Sequence, residues 1–151
     1  MMDKVNNAGF ACLGKGCPNH CCGAFNGVSD KLRELDVFAF SEIVLLPDDI
    51  RRIRQAGKED YIARKEDGTW IMKTAGDGTC AALRDGRCDI YEVRPALCKA
   101  YPLYLDLFAG LCCVTECPAF DPVAPRQAYQ EALRSLLDVM QYWINRYREW
   151  L

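Results

Sequence analysis

The chain has 151 residues, half of them hydrophobic, with a formal net charge of −2 and a pI near 5.4. That much apolar material builds a core without staples. The mild acidity excludes a general attraction to nucleic acid or to anionic membranes.

Residues 1–10 carry no apolar run of the signal-peptide kind. The longest later apolar stretch, 101–114, is interrupted by Pro102, Asp106 and Gly110, which is too broken to cross a bilayer. The expectation is a cytoplasmic protein. There are ten cysteines and one histidine. In a reducing compartment, clustered thiols read as metal ligands or redox groups and not as disulfides.

The first cluster is Cys12-Leu-Gly-Lys-Gly-Cys17-Pro-Asn-His20-Cys21-Cys22-Gly23. Its turn-forming glycines, proline and asparagine suit a loop that wraps a small ion. Adjacent side chains diverge, so Cys21 and Cys22 serve different ions or only one of them is a ligand. His20 could ligate or carry a proton, although a lone histidine in a polar loop is more often neither.

Residues 30–43 fit a helix or a strand. Pro47-Asp48-Asp49 starts a short helix with Ile50 and Ile53 on its apolar face and Gly57 as its stop. Arg51, Arg52 and Arg54 lie among acids and read as a solvated face. Residues 61–63 and 69–73 are predicted as short strands around a turn at 66–68. A second turn, Arg84-Asp85-Gly86-Arg87, places Cys80 and Cys88 on its two arms, as small metal ribbons present ligands. A helix starting near Pro95 brings Cys98 back toward Cys88. After an apolar segment at 103–107 and a turn at Gly110 comes the third group, Cys112-Cys113-Val-Thr-Glu-Cys117-Pro118.

The clearest helix follows Pro125. Leu133, Leu136, Leu137, Met140, Ile144, Tyr147 and Leu151 recur at helical spacing, a stripe expected to cover the core. A dimer contact through Trp143 and Trp150 is the lesser reading. The fold class expected is α+β: a small single domain with a cysteine-rich metal-binding core of loops, short strands and short helices. Residues 1–124 form the cysteine-cluster domain, and 125–151 form a C-terminal amphipathic helix that closes it.

Thiolates are soft donors that select zinc, Cu(I) or iron–sulfur clusters. One tetrahedral zinc takes four ligands, so this chain has more donors than a single site needs. The glycine turn before Cys88 is ribbon-like and favours zinc. Cys117-Pro118 is similar to a ferredoxin-type ending, yet no Cys-x2-Cys occurs anywhere in the chain. Zinc and iron both stay open. Lys15, Arg84, Arg87, Arg94 and Lys99 lie near cysteines and can offset thiolate charge. Arg94 either steadies sulfur ligands or pairs with Glu92 or Asp89. Asp89, Tyr91 and Glu92 read as structural, because no second group at defined spacing makes a dyad or triad.

The run Cys88-Asp-Ile-Tyr-Glu-Val-Arg-Pro-Ala-Leu-Cys98, with Cys17…Cys21-Cys22, Cys80-Ala-Ala-Leu and Cys117, resembles the YkgJ-like cysteine-cluster family. That family is a zinc- or iron-chelating domain named for a CxxCxxCC motif, stretched here to Cys12-x4-Cys17-x3-Cys21-Cys22. The resemblance implies metal ligation by Cys12, Cys17, Cys21, Cys22, Cys80, Cys88, Cys98 and Cys117, in one or two sites. Cys112 and Cys113 match nothing in it and read as core residues. A related cysteine-rich region in flagellin lysine methylases implies a role in protein modification as an outside reading.

The function expected is therefore metal binding, with zinc or iron (an iron–sulfur cluster included) as the cofactor. The alternatives are an iron–sulfur enzyme or accessory protein, and a thiol redox or metal-delivery protein using Cys21-Cys22 or Cys112-Cys113. The partner expected is a metal ion, with a protein partner or substrate as a further reading and no nucleic acid or membrane. No catalytic residue is assigned.

Overall fold

A computed structural model describes residues 12, 13, 17, 22, 42–115 and 117–151. The chain groups into two units, Gly14–Cys98 and Met1–Leu13 with Lys99–Leu151. His20, Cys21 and the ambiguous stretch up to 41 lie outside the described residues.

In the unit Gly14–Cys98, helix α1 spans Pro47–Gln55. Proline is pre-set for a first helical turn, and the Asp49 carboxylate reaches back to accept the Leu46 N–H at 2.9 Å. The helix ends as its sequence predicts. Gly57, at φ 68, donates to Arg54 O at 2.9 Å, and Lys58 N–H donates to Ile53 O at 3.0 Å. These two bonds close a Schellman motif.

Strands β1, Ile62–Arg64, and β2, Trp70–Met72, pair antiparallel with Ala63 opposite Ile71. In their turn Gly68 has φ 84, and Asp67 accepts the Thr69 N–H at 2.8 Å. Residues 43–45 lie along β2: Leu45 N–H donates to Trp70 O at 2.8 Å and Met72 N–H to Ile43 O at 2.9 Å. Strands β3, Leu83–Arg84, and β4, Arg87–Cys88, form a second hairpin with Leu83 opposite Cys88. Asp85 and Gly86 take φ 48 and 73, the left-handed pair that a two-residue hairpin turn requires. Leu45, Ile53, Ile62, Met72, Ala82 and Ile90 form the buried core, and Cys80 and Cys88 pack against it. Helix α2, Ala96–Ala100, begins after an extended Arg94, the conformation a following proline imposes.

In the other unit, β5, Leu103–Asp106, pairs with β6, Gly110–Cys113. Asp106 accepts N–H bonds from Phe108 at 2.8 Å and Ala109 at 2.7 Å, which shapes the turn. After a 3-10 segment at Arg126–Tyr129, helix α3 spans Gln130–Arg148 and packs on β5. Among the described residues no helix is long and apolar enough to cross a membrane.

The mixed α+β class, with short strands and a long C-terminal helix, is as expected. The buried face of α3 is as expected only at Leu136. Ala132, Ser135, Leu136 and Val139 are buried, whereas Leu133, Leu137, Ile144, Tyr147 and Leu151 are exposed. Short side chains let a helix lie close against a strand. The bulkier residues, one position further on, turn outward.

Candidate metal centre

Cys80 forms an isolated antiparallel bridge with Thr74, and its N–H donates to Cys22 O at 2.8 Å. One backbone bond thus ties the first cysteine group to the second across the sequence. The hairpin presents Cys88 at the end of β4, but Cys80 is not on its other arm. Cys80 sits three residues before Leu83, whose N–H donates to Cys80 O at 3.0 Å. The strand pairing is only two residues long, too short to reach it.

The surroundings of these sulfurs combine apolar burial with backbone donors. Burial pushes the Cys80 thiol up, while N–H donors from Ala82 and Leu83 pull the other way, and the charge of Cys22 raises it further. Burial pushes Cys88 from the ordinary thiol value of 9.0 up to about 11, despite a donor from the Ile90 backbone and the charge of Arg94. Cys98 is raised well above the ordinary value by burial, and then by Cys22, Cys80, Cys88 and Asp49. Four thiols therefore lie within electrostatic reach of one another in a single unit. Thiols that accept N–H bonds two or three residues ahead are prepared to become thiolates once a cation offsets their charge.

The same four do not form a closed chelate as they stand. Among the described residues no three His, Cys, Asp or Glu side chains are grouped tightly enough to hold an ion. Protonated thiols have no mutual attraction, and thiolates repel, so nothing but a cation would draw them inward. The donor set, soft sulfur in a half-buried wall with N–H support, fits zinc or an iron–sulfur core. None of the nine described cysteines is in a disulfide.

Cys17 also belongs to this unit and is half-buried. Cys12, Cys112, Cys113 and Cys117 belong to the other unit. Cys117 is buried, Cys113 pairs with Leu103, and Cys112 pairs with Tyr104 and hydrogen-bonds its hydroxyl. Cys21 and His20 lie outside the described residues.

Two supports for these sulfurs are not the ones the sequence suggests. Asp49, only 1 % exposed, accepts from Leu46 N–H, from Arg52 Nη2 at 2.6 Å and from Ala96 N–H at 3.0 Å. It thereby holds the start of α2, the helix that carries Cys98. Arg52 also reaches Arg94 O at 3.4 Å, so it is a brace and not part of a solvated face. A carboxylate three residues past the helix entry is the signal that could have found Asp49. Asp89, beside Cys88, accepts from Lys58 Nζ and Tyr61 Oη, both at 2.7 Å, which pins β4 to the end of α1. Arg94 lies 4.1 Å over the Tyr91 ring and donates to Tyr91 O at 2.8 Å.

A thiol pKa raised by folding makes thiolate formation harder in the folded chain. Below the unfolded value both states hold the proton and nothing is lost. Metal-free protein should thus lose stability as pH rises from about 9.0 toward about 11, the interval set by Cys88. Thermal melts in chelator and reductant across that range check this, and a flat profile would contradict it.

The family described as "CxxCxxCC: Putative zinc- or iron-chelating domain" matches residues 11–118. No curated protein and no solved structure matches.

Proposed function

The chain belongs to the CxxCxxCC family, and on that premise we propose that it binds zinc or iron through thiolates gathered from its cysteine groups. Cys22, Cys80, Cys88 and Cys98 form one ligand set in this reading. Cys17 and Cys21 complete it or build a second site, and Cys12 and Cys117 are the further ligands that the family motif implies. The observation that supports the proposal is that Cys80 and Cys88 pack half-buried against one core, with Cys80 N–H bonded to Cys22 O at 2.8 Å.

A bound ion of this kind supplies folding free energy, on the order of 10 kcal/mol for a structural zinc site. The chain's own residues do the rest. Ala82, Leu83 and Ile90 donate to sulfur, Arg94 offsets charge, and Asp49 with Arg52 fixes where Cys98 stands.

The test is metal and acid-labile sulfide content, with a visible spectrum, on protein purified without oxygen. Zinc in colourless protein is expected for a chelating or structural module. Iron with matching sulfide would assign a cluster to the same thiols and open an electron-transfer role. Protein that takes up neither metal under any loading condition would end the proposal.

A further inference from the structure

The β3–β4 hairpin carries Cys88 and comes soon after Cys80, yet its ladder holds only two residue pairs. A two-stranded ladder that short does not keep its own place in water. Something else must fix where Cys88 stands. Ala82 and Ile90 anchor the hairpin from within, as buried members of the core. From outside, one side chain touches both arms. The Tyr61 hydroxyl donates to Asp89 Oδ2 at 2.7 Å, one residue past Cys88. On the other arm the Arg84 guanidinium stands over the Tyr61 ring, 5.8 Å from its centre.

Tyr61 is itself held. Its N–H donates to Lys58 O at 3.2 Å, its carbonyl accepts from Lys73 N–H at 2.8 Å, and its ring packs against the core. Asp89 is held at its main chain too, where its N–H donates to Ala82 O at 2.8 Å. Lys58 also reaches Asp89 Oδ2, at 2.7 Å, but the two side chains are 38 % and 35 % exposed. An ion pair in that much water, on a long flexible stem, contributes little. The tyrosine has two side-chain torsions and a fixed base, so its hydroxyl sets a position that the lysine cannot.

Resting on the chelating reading above, we propose that Tyr61 is a positioning residue for the thiolate site. Its grip on Asp89 keeps Cys88 where Cys22, Cys80 and Cys98 can share one ion with it. Groups that orient ligands without touching the metal cost about ten- to a hundredfold in metal affinity when they are lost. Tyr61 acts through a hydrogen bond and not through charge, which separates two replacements of its partner. In Asp89→Asn an amide oxygen still accepts from the Tyr61 hydroxyl, whereas Asp89→Ala leaves it no acceptor.

The experiment loads the full chain with cobalt(II), whose thiolate-to-metal absorption reports sulfur ligation, and withdraws the ion with a competing chelator. Tyr61→Phe keeps the ring and loses only the hydroxyl. It is expected to hold cobalt about tenfold less tightly than the wild type. Asp89→Ala should lose a similar factor, and the double variant no more than either single one, because both remove the same bond. Asp89→Asn and Lys58→Met should stay within about twofold of the wild type, since each gives up only an exposed ion pair. Val139→Ala, a truncation of a buried side chain in the other unit, should lower the melting temperature and leave cobalt affinity unchanged, which tells positioning from general loss of stability. Wild-type affinity in Tyr61→Phe, a multiplied loss in the double variant, or an equal loss in Val139→Ala overturns the proposal and leaves chelation standing. A wild-type chain that shows no such absorption removes the chelating reading, and the positioning role with it.

Discussion

Replacing Cys98 with serine is expected to strip the protein of its metal and lower its melting temperature by on the order of 10 °C or more. Of the coupled thiols, Cys98 feels the most neighbours: Cys22, Cys80 and Cys88 all act on it, and burial dominates its environment. It also stands on α2, whose first N–H is held by Asp49, so a replacement cannot easily be made good by a shift of backbone. A serine hydroxyl is a harder and far less acidic donor than a thiol, and four-coordinate zinc tolerates the loss of one sulfur poorly. Cys112→Ser provides the contrast. Its partner is the Tyr104 hydroxyl on a neighbouring strand, so metal content should stay at the wild-type level. Elemental analysis and calorimetry on both variants decide. Full metal content in the Cys98→Ser protein would remove Cys98 from the ligand set.

Asp49→Ala is expected to destabilise the fold by about 3 kcal/mol, even though Asp49 bears no sulfur and no metal. The carboxylate is 1 % exposed and satisfies three donors from two helices. Its loss strands the Leu46 and Ala96 N–H groups and leaves the Arg52 guanidinium, itself 22 % exposed, without its closest counter-charge. Because Arg52 keeps some water and still pairs with Asp48 at 3.1 Å, the lower end of the range for broken buried pairs is appropriate. Asp49→Asn keeps the shape and one acceptor, so it should cost less. Denaturant melts of the two variants at matched metal content test this. A smaller loss for alanine than for asparagine would show that the carboxylate does not act as the junction of α1 and α2.

Much of this was legible from residues alone. Pro47 with Gly57, and Asp85-Gly86, announce their helix end and turn through backbone rules that need no tertiary context. The second hairpin, the short helix after Pro95 and the mixed class follow from the same signals. What sequence could not give was depth. Asp49 looks like any acid in a first helical turn until Ala96 arrives from 47 residues away. The stripe expected on α3 holds the buried Leu136, but Leu133, Leu137, Ile144, Tyr147 and Leu151 share its period and stay exposed. Cys80 was drawn onto a hairpin arm because spacing alone cannot count paired residues.

The sulfur-supporting bonds have a consequence for how such a chain can change over generations. Their donors are the main-chain N–H groups of Ala82, Leu83 and Ile90, and a main-chain N–H is supplied by nineteen of the twenty amino acids. Half-exposed Leu83 can therefore drift in identity while the bond to Cys80 is inherited intact. Ala82, fully enclosed, has no room to grow, and Ile90 is bound by the core it fills. Proline alone would delete a donor at any of the three. The chemistry around the thiols is written in backbone, where a comparison of side chains would overlook it.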